Sequence, residues 1–120
     1  MFKKIVITEP VGLLPYGIER LHDIAHSVVL YDDVPKTDEE IRRRIAGADA
    51  ILVGHRGQYF EHALEGNRDL RYIGMCCSLY SEESANVDIP YARANGITVS
   101  GIRDYGDNGV VEYVLYEAIG

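Results

Sequence analysis

Five short apolar runs separated by helix-like segments constrain this chain more than any other feature. The runs are residues 4–8, 27–31, 50–53, 71–76 and 97–100. They are rich in β-branched residues and mostly apolar throughout, without the alternation of a strand that has one wet face. Such strands belong in a parallel sheet covered on both sides. The segments between them carry helix signals. After Pro15, Ile18, Leu21 and Ala25 recur at helical spacing. Thr37 followed by Glu40 forms a capping box ahead of Ile41, Ile45 and Ala48. A short third helix turns Phe60, Ala63 and Leu64 inward and ends near Gly66-Asn67. Asp88 caps a fourth helix, with Pro90 in its first turn and Gly96 as its stop.

Repeated strand–helix units with right-handed crossovers predict an α/β fold. The expected form is a doubly wound, five-stranded parallel sheet in the flavodoxin-like order 2-1-3-4-5. A chain of 120 residues supports one such core. The domain is expected over 1–106, and 107–120 reads as the start of a helix crossing to a second domain, apolar at Val110, Val111, Val114, Leu115 and Ile119. In this order the switch point lies between strands 1 and 3. Ligands are therefore expected at the carboxyl ends there, at residues 9–12 and 54–58, with the neighbouring loop 77–84.

Several functions of such sheets are excluded by missing residues. A net charge of −7, from 12 basic against 19 acidic residues, without a basic stripe, argues against nucleic acid or an anionic membrane. The one basic run, Arg42-Arg43-Arg44, reads as the solvated face of a helix. No run approaches the roughly 20 apolar residues of a membrane span, and Met1-Phe2-Lys3-Lys4 enters a strand without a leader. Cys76 and Cys77 are adjacent and poorly placed to bridge, which suggests a reducing cytoplasm. A phospho-acceptor receiver needs an aspartate where this chain has Gly54-His55-Arg56. Glu9-Pro10-Val11-Gly12-Leu13-Leu14-Pro15 is too acidic and apolar to cradle a flavin phosphate. No Gly-x-Gly-x-x-Gly follows a strand, so no cofactor site is expected within the chain.

From Leu70 onward the sequence resembles the D-isomer-specific 2-hydroxyacid dehydrogenases. The residues that carry the likeness are Leu70-Arg71-Tyr72-Ile73-Gly74, Asn86-Val87-Asp88, Ala92, Ala94, Gly96-Ile97-Thr98-Val99 and Val110-Val111-Glu112. Residues 4–53 fit the family's N-terminal half more loosely. The segment from Met75 to Ala85 departs from the family's short glycine turn, being longer and without glycine. The resemblance implies a substrate-binding domain, in which a small 2-hydroxy or 2-keto acid exchanges hydride with NAD or NADP. It also implies that the nucleotide and the catalytic Arg, His and acidic residue belong to a second domain beyond Gly120. No catalytic residue is thus assigned to this chain, and alone it is expected to be inactive.

The candidate substrate wall is formed by the loops after strands 3 and 4. Arg56 is placed either to grip a carboxylate in bidentate fashion or to pair with a nearby acid such as Glu9. His55 stands beside it. Cys77, Ser78, Leu79 and Tyr80 offer amides and a hydroxyl, while Asp104, Tyr105 and Gly106 read as a hinge between domains. His22, His26 and His62 read as structural or exposed, and Glu112 as a helix-dipole partner. Two other readings stand beside this one. The chain is a free-standing binding module that dimerises through 107–120, or a thiol enzyme using Cys77, which would need an activating base or helix N-terminus.

Overall fold

The computed structural model describes residues 2–11, 15–54, 56–78 and 86–102, with backbone alone for residues 15, 16, 76–78, 101 and 102. The chain alternates β1 (Phe2–Ile7), α1 (Pro15–His22), β2 (Ala25–Leu30), α2 (Asp38–Ile45), β3 (Ala50–Val53), α3 (Glu61–Leu64), β4 (Tyr72–Ser78), α4 (Ile89–Ala94) and β5 (Thr98–Ile102). The five strands form one sheet in the order β2-β1-β3-β4-β5, with every pairing parallel. The architecture is the flavodoxin-like α/β sheet expected from the pattern of apolar runs.

Register explains why the strands are apolar on both faces. Val29, Val6, Ile51, Ile73 and Val99 stand in one rung across all five strands. Their face packs with Ile41 and Ile45 of α2, Ala63 and Leu64 of α3, and Ala92 of α4. The next rung, Val28, Ile5, Ala50, Tyr72 and Thr98, belongs to the opposite face. There Ile5, Ile7, Ala50, Leu52 and Tyr72 pack with Leu21 of α1.

Local signals held where their partners are local. The Thr37 hydroxyl accepts the Glu40 N–H at 3.1 Å, while the Glu40 carboxylate reaches back to the Lys36 N–H rather than to the cap itself. Asp88 accepts the Tyr91 N–H at 3.0 Å and also the Glu61 N–H at 3.2 Å, so one cap serves two helices. Gly96 sits at φ 71°, in the left-handed region where only glycine is unstrained. Elsewhere the expectations are corrected. Ala25 opens β2 instead of closing α1. Phe60 is the exposed N-cap of α3 rather than part of its inward face. Ala48 is buried, yet lies past the end of α2.

At the amino edge of the sheet, Asp49 staples three strands. Its carboxylate accepts the Lys3 and Lys4 N–H groups at 2.8 and 3.0 Å and lies 3.8 Å from the Arg71 guanidinium. Burial alone would raise its pKa, but these N–H groups and Arg71 outweigh burial and hold it below the ordinary value of 3.8. A depressed pKa contributes stability above the unfolded value and loses it as pH falls through the folded one. Asp49→Asn is therefore expected to cost about 1–2 kcal/mol at pH 7. The difference from wild type should shrink once pH drops below 4 (roughly the unfolded value). Urea unfolding at several pH values checks both the size and the sign.

Candidate functional site

The carboxyl ends of β1 and β3 meet at the switch point of the sheet, where parallel α/β sheets bind ligands. Thr8 and Glu9 leave β1 there, and residues 54–58 leave β3. Glu9 is fully buried. Its Oε1 accepts the N–H of Gly54 at 3.0 Å and of Gly57 at 3.1 Å, and the Tyr59 hydroxyl at 2.9 Å. Its Oε2 takes the Arg56 N–H at 3.3 Å and shares that of Gly57 at 3.2 Å. Three backbone amides thus converge on one carboxylate, as they do around a bound anion.

The opposite side of the same loop is held by Asn86. Its Nδ2 donates to the carbonyls of Gly54 and Gly57, each at 2.7 Å. The backbone around it pairs with Tyr59: the Tyr59 N–H donates to the Asn86 carbonyl, and the Asp88 N–H to the Tyr59 carbonyl. Tyr59 is fully buried. Burial, and the charge of Glu9 beside it, push its phenol well above the usual tyrosine range, so its hydroxyl stays a donor. The Thr8 hydroxyl lies 2.7 Å from that of Tyr59 and 3.2 Å from the Leu52 carbonyl. Among the described residues every buried side-chain nitrogen and oxygen has a partner.

Two glycines make this packing possible. A Cβ on Gly57 would lie 2.5 Å from the Tyr59 hydroxyl oxygen and 2.7 Å from its ring. One on Gly54 would lie 3.1 Å from the Glu9 carboxyl carbon. The glycines are present for close approach rather than for an unusual φ.

Arg56 occupies the expected place but not the expected partnership. Its backbone N–H, not its guanidinium, bonds Glu9. The residue is exposed, its side chain makes no ion pair among the described residues, and it lines a shallow depression of about 320 Å³ with Lys36, Thr37, Ile41 and Gln58. A depression of about 350 Å³ at the opposite edge, beside Gly47 and Asn67, is a packing seam. There the Asn67 side chain is committed to the backbone of Ile45, Ala48, Asp69 and Leu70.

Cys77 and Ser78 belong to β4, which runs two residues further than the expected strand. Between Gly74 and Ser78 the ladder to β5 shifts, four steps on β4 against two on β5. Bulges of this kind re-aim a strand end and recur beside functional sites. His55, Leu79, Tyr80, Asp104, Tyr105, Gly106 and the helix expected over 107–120 lie outside the described residues.

Arg44 corrects the reading of the basic run. Its side chain is only 10% exposed, and its guanidinium donates to the carbonyls of Thr8 and Asp33 and to the Asp33 carboxylate, at 2.7–2.9 Å. It also lies 4.5 Å from the centre of the Tyr31 ring. Arg44 thus anchors the exit of β1 from the side of α2. Its spacing, three residues after buried Ile41, was the available signal.

The described residues do not fit a dinucleotide. The turn leaving β1 holds a buried carboxylate, and the amides that converge there are already satisfied by it. Among the described residues, no group of three His, Cys, Asp or Glu side chains is placed to hold a metal ion. No helix there is long and apolar enough to cross a membrane.

A five-stranded parallel sheet in the order β2-β1-β3-β4-β5, with helices between its strands, defines a flavodoxin-like α/β domain. The chain belongs to the D-isomer specific 2-hydroxyacid dehydrogenase family, whose catalytic-domain model matches residues 5–118. Among solved structures, it is similar to an acyclic imino acid reductase in complex with NADPH and D-Arg, at 22% identity and a TM-score of 0.71 over 94% of this chain and 35% of that one. A putative D-3-phosphoglycerate dehydrogenase from Ralstonia solanacearum matches at 15% identity and TM-score 0.73, over 88% of this chain and 31% of that one. The D-lactate dehydrogenase of Salmonella matches at 17% identity and TM-score 0.60, over 97% and 34%. At these identities the likeness is one of fold. The chain spans about a third of the length of these structures. No curated protein matches it by sequence.

Proposed function

We propose that this chain is the substrate-facing domain of an NAD(P)-dependent D-2-hydroxyacid dehydrogenase and does not transfer hydride alone. The observation that carries the reading is the loop 54–57. It is held from both sides at the switch point and carries an exposed Arg56 without an ion pair among the described residues. A guanidinium so placed suits the carboxylate of a small 2-hydroxy or 2-keto acid. Cys77 and Ser78 at the end of β4, with His55, Leu79 and Tyr80, complete the substrate wall, and Asp104, Tyr105 and Gly106 form the hinge. In this reading the nucleotide is held by a separate domain. The working particle is a cytoplasmic homodimer that pairs through 107–120.

The test is an NMR titration of the ¹⁵N-labelled chain with pyruvate, glyoxylate and phenylpyruvate. Amides of residues 54–58 are expected to shift with one of these acids. Arg56→Ala should weaken that binding about tenfold, the worth of one charge-assisted contact. Absence of any shift at 54–58 across the acids rejects the reading. Oxidation of NADH or NADPH by the chain alone with a 2-keto acid rejects the claim that it lacks hydride transfer.

A further inference from the structure

The backbone on either side of Arg56 is gripped from two directions. Inward, the N–H groups of Gly54, Arg56 and Gly57 end on Glu9. Outward, the carbonyls of Gly54 and Gly57 end on the Asn86 amide. Fixing these donors and acceptors restrains the backbone at Gly54, Arg56 and Gly57. It thereby sets the position of the Arg56 Cα and the direction in which its side chain leaves. Arg44 secures the base of the arrangement by holding the Thr8 carbonyl at 2.8 Å.

This has a consequence for recognition. Convergent amides are a ready receptor for an anion, but at this loop they are filled by the protein's own carboxylate. An acid arriving here finds no free amides among Gly54, Arg56 and Gly57 and meets the Arg56 guanidinium instead.

We infer that Glu9 and Asn86 are positioning residues: together they clamp loop 54–57 so that Arg56 is presented to the substrate carboxylate in one geometry. The inference rests on the reading of Arg56 as the substrate's partner. Glu9 acts on the loop through the N–H groups of Gly54, Arg56 and Gly57 and touches no reacting atom. Preorganisation of this kind strengthens binding by removing the ordering cost of the loop and its arginine. Asn86 comes from a different part of the chain, just ahead of α4, and grips the loop that leaves β3.

The experiment compares wild type, Glu9→Gln, Asn86→Ala and Arg56→Ala as full chains, by amide hydrogen exchange and by titration with whichever of pyruvate, glyoxylate and phenylpyruvate shifts residues 54–58. Glutamine keeps the size of Glu9 but turns an NH₂ toward amides that need an acceptor. Glu9→Gln should speed exchange at Gly54, Arg56 and Gly57 about 30-fold, leaving Ile73 and Met75 of β4 within about threefold. It should also weaken binding of that acid at least about fivefold, while Arg56→Ala weakens binding without loosening the loop. Asn86 is half-buried, so Asn86→Ala should fold even if Glu9→Gln does not, and should show the same pattern with smaller size.

Unchanged exchange at 54–57 in both variants overturns the inference. So does a loosened loop with undiminished affinity, since Glu9 and Asn86 would then serve stability alone. In either case the proposed function survives if Arg56→Ala still loses binding. A wild-type chain that binds none of the 2-keto acids removes the proposed function, and this inference falls with it.

Discussion

Replacing Glu9 by leucine is expected to destabilise the chain by about 3–5 kcal/mol. Leucine fits the volume but accepts no hydrogen bond. The N–H groups of Gly54, Arg56 and Gly57 and the Tyr59 hydroxyl would be left facing an apolar group. Since Glu9 and Tyr59 are fully buried, water cannot replace the lost acceptor without opening the carboxyl edge of the sheet. Chemical denaturation measures the loss directly, and a cost below about 1 kcal/mol would mean that the amides find other partners. The usual expectation for a hydrophobic substitution at a buried site is thereby reversed: at position 9 the charged residue is the stable choice.

The second large effect is expected at the centre of the sheet. Ile51 is fully buried and is flanked in register by Val6 and Ile73, with Val29 and Val99 completing the rung. Ile51→Ala removes branched carbon from the middle of that row, where strands on both sides prevent collapse into the gap. A loss of about 3–4 kcal/mol follows, together with a fall in Tm of roughly 10–15 °C. Leu30, at the edge of the sheet and 46% exposed, provides the contrast. Leu30→Ala should cost well under 1 kcal/mol (about the ordinary cost of a surface change). If Ile51→Ala and Leu30→Ala proved equal in urea unfolding, the rung would not be the centre of the core.

Position 9 also shows where legibility ends. In the sequence, Glu9-Pro10 after an apolar strand reads as the polar start of a turn. An acid next to a proline is ordinarily exposed, because burying a charge without partners is costly. Its partners here are backbone amides 45 to 48 residues away. Every non-proline residue carries such an amide, so the receptor leaves no mark on side-chain identity. The faint mark that does exist is the pair Gly54 and Gly57, where Cβ atoms would crowd Glu9 and Tyr59. Arg44 is similar: three arginines in succession look like a solvated face, yet consecutive helix positions point in different directions, and one of them turned toward the sheet.

By itself, the sequence determined the elements and their order. Runs of β-branched residues, a capping box at Thr37, an N-cap at Asp88 and a stop at Gly96 act over a few residues, and their physics is complete within those few. The parallel, doubly wound arrangement follows from the same pattern, because strands apolar on both sides need helices on both faces and crossovers of one hand. Only the tertiary structure decided that Glu9 is buried, that Asn86 grips the loop after β3, and that Arg56 is held by its amide while its guanidinium remains outward. These contacts join residues 29 to 48 positions apart. They use main-chain groups common to every residue, so their existence depends on how the strands are brought together rather than on any local spelling.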